Sequence, residues 1–540
     1  MLALAGASAV SGCARSAVPP EPRVAPPATS PPHTRFLPAR LRRLTNVEYE
    51  QTMSALLGAP VHVAERLPPE VRQEGYTSNG AQTVPSAWAA RADAIAREET
   101  RRAVAERLDR IAPCAAASGG RIEDAPAQCE ERWLASTVLR AWRRPPAPDE
   151  VARIHAVFDA AAAGVPADRR LAAGVEAVLV LLLQSPSLLY VTELGDGGAP
   201  GDVVTLRPYE IASVLSYTVQ GGPPDDELLD AAARGALFSP IVREAHARRL
   251  LARSETRMHF RRFVLEWLEV DGLASTVKDA GPYPDYDRLK TRMLDETSAF
   301  VDEVMVYGGG SLRALLDAGF ASVDPTMARF YGLKTWGPRA SLAGTRRGGV
   351  LQQASFLAAH AHEDGTSPVK RGDFVLRKLL CVRIPRPAEV GIETVFPPPQ
   401  KTMTTRDRFA AHVADTACSG CHERIDPLGF TFERFDAEGG DRATENGQTI
   451  RTAAQAEVAG QTRAFADSVE LSRWLSQSPE ASQCYLRQAY RYFTSQSEPA
   501  IEDELLGLAE SAPPGLRDNL FEALIAYVRS DLFVRREVRP

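Results

Sequence analysis

Apolar residues recur at helical spacing along most of this chain, and this pattern constrains its fold more than any other feature. In the first such segment, residues 42–57, Thr45 is placed to cap a helix and Gly58 to end it. Alternating strand patterns are scarce. The spacing predicts further helices over residues 133–142, 151–162, 209–217, 249–270, 289–307, 375–380, 469–475 and 520–528.

Breaks in the helical pattern fall where proline and glycine cluster, at residues 197–201, 221–224, 308–310, 385–399 and 513–515. With 540 residues, 44% hydrophobic and 24% charged, the chain is long enough for several globular domains. We therefore predict a mainly α, multi-domain helical protein. Lys plus Arg total 63 against 69 Asp plus Glu, so no broad basic surface for nucleic acid is expected.

The N-terminus predicts export. A short apolar run is followed by Ser11, Gly12 and Cys13, the pattern of a bacterial lipoprotein signal, and the Cys13 thiol would carry the lipid anchor. The run lacks a basic start, so a flexible N-terminus with an incidental cysteine remains the alternative. Residues 15–33 are proline-rich and predict an extended tether. Residues 175–183 are apolar but too short to span a bilayer, which predicts a buried helix.

The strongest chemical motif is CxxCH, formed by Cys418, Cys421 and His422. This order is typical of a c-type haem site, where two thiols bind one porphyrin through thioethers and the adjacent imidazole binds the iron. Two alternatives remain open from the residues alone: a redox dithiol or disulfide, and half of a structural zinc site. We expect one covalent haem c.

Four further cysteines fit an oxidising compartment. Cys114 and Cys129 flank a polar loop, which predicts a local disulfide, and Cys381 and Cys484 would then pair by elimination. A pair of buried thiols is the alternative for Cys381 and Cys484.

The second axial iron ligand has three candidates, His362, Met403 and His412, in that order; a five-coordinate iron is the alternative. Asp426 follows His422 by four residues, so it would either orient the imidazole or cap a helix before Pro427.

Arg371 and Lys370 would pair with haem propionates, or else form a solvated helix start. The acidic run at residues 223–227 is better explained as a helix N-terminus than as a carboxylate site.

Several stretches resemble the planctomycete-cytochrome type of multi-domain secreted protein, assembled from domains of unknown function. The stretches that carry this resemblance are 42–49 (RRLTNVEY), 56–58 (LLG), 141–145 (AWRRP), 183–186 (LQSP), 189–190 (LY), 209–213 (YEIAS), 224–229 (PDDELL), 366–372 (TSPVKRG), 418–422 (CSGCH), 426–430 (DPLGF) and 528–533 (VRSDLF). The chain departs from the family at residues 217–220 and 492–496, and it has a tether where many members carry an N-terminal haem domain.

The resemblance implies a helical, exported haem protein with a C-terminal c-type-haem-like module. We expect a signal at 1–12, a tether at 13–34 and helical domains at 35–100, 101–200, 201–338, 339–450 and 451–540. The expected function is a lipid-anchored, periplasmic or outer-membrane cytochrome with a redox partner protein or a small-molecule electron donor or acceptor. The alternative is a disulfide-stapled helical binding scaffold without haem; a hydrolase ranks third, and no assignment as an enzyme is made.

Overall fold

Helices that are separated in the sequence pack together around the CxxCH motif. The computed structural model describes residues 35–113, 129–385, 387–391, 402–410, 416–510 and 519–540. The predicted anchor at Cys13, the tether, the partner Cys114 and the candidate ligand His412 lie outside these residues, as does the side chain of Cys129. Residues Arg35–Pro540 form one compact unit.

Helices dominate the described chain, as predicted. In chain order they are α1 (Asn46–Leu57), α2 (Ser86–Ile111), α3 (Cys129–Trp142), α4 (Pro148–Ala162), α5 (Arg170–Gln184), α6 (Pro186–Leu189), α7 (Pro208–Gln220), α8 (Asp226–Ala233), α9 (Pro240–Leu251), α10 (Ser254–Trp267), α11 (Tyr286–Gly308), α12 (Leu312–Leu316), α13 (Pro325–Tyr331), α14 (Ala354–Ala359), α15 (Pro368–Phe374), α16 (Thr405–Ala410), α17 (Thr416–Phe430), α18 (Ser468–Leu475), α19 (Pro479–Thr494), α20 (Pro499–Glu510), α21 (Leu520–Arg529) and α22 (Asp531–Val534).

The described chain also contains short strands, which form two-stranded antiparallel sheets. They are β1 (Arg40–Arg43) with β2 (Tyr190–Glu193), β3 (Val203–Thr205) with β10 (Arg535–Glu537), β4 (Phe320–Val323) with β5 (Gly337–Ser341), β6 (Thr444–Glu445) with β7 (Gln448–Thr449), and β8 (Ala454–Val458) with β9 (Gln461–Phe465).

Capping residues fix several helix ends as the sequence predicted. The Thr45 hydroxyl accepts from the Glu48 backbone N–H, the Glu48 side chain accepts from the Thr45 N–H, and Gly58 ends α1 in the left-handed conformation. Asp225 likewise caps α8 by accepting from the Leu228 N–H. The acidic run at 223–227 is therefore a helix start.

Residues Arg40–Arg43 form strand β1, which the sequence did not predict, because its partner β2 lies about 150 residues away. Two helix predictions also need correction. The segment 249–270 is two helices, broken at Arg253, whose backbone is extended and whose guanidinium pairs with Asp225. Residues Val375–Leu379 continue α15 as a π-helix.

Residues near the two ends of the described chain meet in one buried ion network. Glu193 on β2 accepts from Arg40 at 3.0 Å and from Arg536 at 2.6 Å, and all three side chains are largely buried. The three charges are buried together, because an isolated buried charge would be strongly unfavourable.

Within the described ranges, no helix is long and apolar enough to cross a bilayer. Residues 175–183 lie in α5, whose Val175, Val178 and Leu179 are buried, as predicted.

Candidate functional site

The CxxCH motif occupies the first turns of α17, which packs directly against α15. A Cβ atom added at Gly372 of α15 would lie 2.0 Å from the Ile425 carbonyl oxygen, and one at Gly429 of α17 would lie 1.9 Å from that of Pro368. Only glycine permits backbones to approach this closely. The position of the motif therefore depends on two glycines from separate sequence segments.

Helical geometry brings the three motif side chains to one face of α17. Cys418, Cys421 and His422 are separated by three and four residues, the spacing of neighbours on a helix surface. Both cysteines are free thiols of intermediate exposure, and Cys421 packs against the main hydrophobic core. The His422 side chain is 20% exposed. The face thus presents two thiols beside one imidazole.

Asp426 makes the hydrogen bond to His422 that its spacing predicts. The Nδ1 atom of His422 lies 3.0 Å from Oδ1 of Asp426, which is 1% exposed. This hydrogen bond raises the pKa of His422, against the opposing effect of burial. Asp426 lies inside α17, together with Pro427, so the alternative role as a helix cap is wrong. Its Oδ2 atom is buried without a hydrogen-bond partner among the described residues.

Arg371 does not fit the predicted role of binding a haem propionate. Its side chain is fully buried and donates to the backbone carbonyls of Leu357, Phe432, Phe435 and Asp436 at 2.9–3.2 Å. The prediction of a solvated helix start is equally wrong for this residue. Arg371 instead holds the turns after α17 against α14 and α15.

The other residues of the 366–372 motif also have structural roles. The Thr366 hydroxyl donates to the buried Glu433 carboxylate at 2.8 Å, and the Ser367 hydroxyl caps α15 by accepting from the Lys370 N–H. Pro368 occupies the first turn, where its missing N–H costs nothing. The motif is therefore a helix start fitted against α17.

His362 lies in the turn that leads into α15, in the electrostatic range of three cations and of Asp364. Its backbone N–H donates to the Gly365 carbonyl, while its own carbonyl accepts from Lys278 at 2.7 Å. Burial lowers the pKa of His362, and the charges of Lys370, Lys278 and Arg408 lower it further. No sequence pattern predicted Lys278, from the loop between α10 and α11, or Arg408, from α16, near this residue.

The structure also places Met403 and the cysteines Cys381 and Cys484. Met403 is partly buried and lies just before α16. Cys381 and Cys484 form a disulfide, with an S–S distance of 2.10 Å, as the pairing by elimination predicted. Among the described residues, no group of three His, Cys, Asp or Glu side chains is arranged to hold a metal ion.

Four family models match the chain in succession. They are PSD3, a protein of unknown function (DUF1587), at 42–105; PSD5, likewise of unknown function (DUF1595), at 129–193; PSD4 (DUF1592) at 206–333; and PSCyt3 (DUF1588) at 347–445. Together they span more than half of the sequence, and the PSCyt3 match contains the CxxCH motif, Asp426 and both close-packed glycines. No curated protein and no solved structure matches the chain.

Proposed function

We propose that this chain, which belongs to the planctomycete-cytochrome series of multi-domain proteins, is an exported redox protein that carries one covalent haem c on α17. The observation that carries the proposal is the arrangement on that helix. Two free thiols share one face with an imidazole whose second ring nitrogen is held by a buried carboxylate.

The residues present fit such a group. Cys418 and Cys421 would each add their S–H across one vinyl group, forming a C–S bond and placing the proton on the neighbouring carbon, so that no oxidant is needed. His422 would bind the iron through Nε2, because Nδ1 is engaged with Asp426. That hydrogen bond fixes the ring orientation and increases the basicity of the ligand. When bound, the haem supplies a one-electron iron couple.

The cations around His362 replace Arg371 as candidate partners of the propionates. Lys370 is exposed and extends from α15, and its Nζ donates to the Ala361 carbonyl at 3.0 Å. Arg408 is close enough to lower the pKa of His362. The side chains of Lys370 and Arg408 are more exposed than that of Arg371, so they could pair with a propionate that stays in contact with solvent. His362 remains our first candidate for the second axial ligand.

Export and anchoring complete the proposal. The Cys381–Cys484 disulfide supports an oxidising compartment, which in bacteria is also where haem c is attached. Lipidation of Cys13 would hold the protein at a periplasmic or outer-membrane surface. Electrons would pass to a redox partner protein or to a small-molecule donor or acceptor.

The experiment is expression in a periplasm equipped for c-type maturation, followed by a pyridine haemochrome spectrum and haem staining of a denaturing gel. Wild-type chain should retain haem after denaturation, and Cys418→Ser/Cys421→Ser should not. The matched control is Cys381→Ser/Cys484→Ser, which also removes two cysteines but should keep the haem. A colourless wild type with Cys418 and Cys421 oxidised to a disulfide would favour the binding scaffold instead.

A further inference from the structure

Residues 72–79, which lie in the chain between α1 and α2, form a strap across the last turns of α10 and α19. The Thr77 hydroxyl donates to Glu266 of α10 at 2.6 Å, and the Ser78 hydroxyl donates to the Tyr492 carbonyl of α19 at 2.8 Å. The strap belongs to the PSD3 match, α10 belongs to the PSD4 match, and α19 lies beyond all four matches. The strap therefore ties three parts of the chain together.

Two buried side chains, Lys378 and Gln488, hold the strap in place. Lys378 is 1% exposed and lies on the π-helix that follows α15. Its Nζ donates to the Glu74 carbonyl at 2.6 Å and lies 4.5 Å from the ring centroid of Tyr76. Gln488 of α19 is 2% exposed, and its Oε1 accepts from the Tyr76 hydroxyl at 2.7 Å. Because these contacts are shielded from water, the docked strap depends on the positions of both side chains.

The Cys381–Cys484 disulfide adjoins both of these side chains. Cys381 follows Lys378 by three residues, and Cys484 precedes Gln488 by one helical turn on α19. The Nε2 atom of Gln488 lies 3.8 Å from Sγ of Cys381, and Sγ of Cys484 lies 3.6 Å from the Lys378 carbonyl oxygen. The bridge therefore fixes Lys378 and Gln488 relative to each other.

Strained backbone is concentrated around this bridge. Glu74, Glu269 and Cys381 all have left-handed backbones, with φ of 52°, 57° and 52°. Glu74 and Glu269 both lie against the Lys378 ammonium, Glu269 through Oε1 at 3.9 Å. Left-handed residues other than glycine are unfavourable, and such positions, like π-helical turns, are frequent where a structure switches. Breaking the bridge removes the constraint that holds Cys381 in this conformation.

We propose that the disulfide is a redox-sensitive clasp, and that its reduction by a dithiol releases the strap. Cys381 is partly exposed whereas Cys484 is 2% exposed, so a thiolate of the reductant attacks Sγ of Cys381. The S–S bond breaks, and Cys484 leaves as a thiolate and takes up a proton. The second thiol of the reductant then displaces Cys381, which also becomes a thiol. Two electrons and two protons thus pass to the protein, and the dithiol becomes a disulfide.

Amide hydrogen exchange of residues 72–79, measured by mass spectrometry on the full matured chain, tests the clasp. Dithiothreitol should accelerate exchange of the strap by at least about tenfold and leave α8 unchanged. Cys381→Ser/Cys484→Ser should exchange fast with or without dithiothreitol, whereas Cys418→Ser/Cys421→Ser should respond like the wild type. Equal strap exchange in the oxidised and reduced protein, or equal acceleration of the strap and α8, would overturn the proposal.

The coupling is also reciprocal, so a weaker strap makes the bridge easier to reduce. Tyr76→Phe removes the hydroxyl that donates to Gln488, and we expect its disulfide to be reduced at a dithiol excess about fivefold lower or more. Tyr307→Phe, at a 75% exposed tyrosine of α11, is the matched control and should titrate like the wild type. Circular dichroism confirms folding, and thiol counts in dithiothreitol redox buffers give the midpoints. If the two variants titrate alike, the strap is not coupled to the bridge and the proposal fails.

Discussion

Nδ1 of His422 lies 3.0 Å from Oδ1 of Asp426, one turn further along the same helix. The carboxylate is almost fully buried, so it acts on the imidazole in a poorly screened environment. A carboxylate that hydrogen-bonds to an iron-bound imidazole increases the electron donation of that ligand and favours the oxidised metal.

Asp426→Asn should therefore raise the midpoint potential of the haem. We expect a rise of roughly 60 mV, which corresponds to a tenfold change in a one-electron equilibrium. Redox titration of the visible spectrum measures it. Glu423→Gln, an exposed change on the same helix, is the control. Equal potentials in all three proteins would mean that Asp426 does not tune the ligand.

Gly372→Ala should separate α15 from α17. The added Cβ atom would lie 2.0 Å from a backbone oxygen, and backbone cannot move aside as a flexible side chain would. We expect the free energy of unfolding to decrease by about 1–3 kcal/mol, together with a lower haem content. Urea denaturation and the haem-to-protein ratio test this expectation.

Gly420→Ala is the matched control for Gly372→Ala, because a Cβ atom at Gly420 meets no atom within 4 Å. This variant lies within the CxxCH motif itself. If it lost as much stability as Gly372→Ala, the close helix contact would not be the cause.

Cys381→Ser/Cys484→Ser should destabilise the protein without removing haem. The disulfide joins residues 103 positions apart, so its loss increases the freedom of a long loop in the unfolded chain. A decrease of about 2–5 kcal/mol in the free energy of unfolding is expected. Guanidinium denaturation of the oxidised wild type and the variant compares them; superimposed curves would show that the bridge contributes little.

Glu296 should make stability depend on pH. Burial raises the pKa of this carboxyl to about 8, although the Tyr331 hydroxyl donates to it at 2.7 Å. Between the usual value of 4.5 and about 8, the folded state therefore holds a proton that the unfolded chain releases. The free energy of unfolding consequently falls as pH rises through this window.

Glu296→Gln should flatten that profile and increase stability near pH 8 relative to the wild type. Denaturation midpoints at about pH 5 and pH 8 measure the difference, which should exceed about 1 kcal/mol. Parallel profiles for the two proteins would show that Glu296 is not the titrating group.

Local features of the site could be predicted from the sequence, whereas long-range ones could not. His422 and Asp426 share one helix, so their spacing alone predicts their contact. Arg371 binds carbonyls of Leu357 and Phe432, which come from other parts of the chain, and no local pattern identifies such partners. Lys278 and Arg408, which affect the pKa of His362, were missed for the same reason.

In the fold, too, local features could be predicted from the sequence and long-range ones could not. Thr45 and Gly58 mark the ends of α1 because capping is a local interaction. Helix α2 was missed, because much of its buried face is alanine, including Ala92, Ala96 and Ala103, which gives a weak apolar period. Strand β1 was not predicted, because its partner β2 is remote in sequence.

The central claim is that one haem is bound through both Cys418 and Cys421, and the intact mass of the matured, denatured chain tests it most directly. We predict a mass increase equal to one haem, which disappears in Cys418→Ser/Cys421→Ser and persists in Cys381→Ser/Cys484→Ser. A matured wild-type chain whose mass shows no added haem would contradict the account.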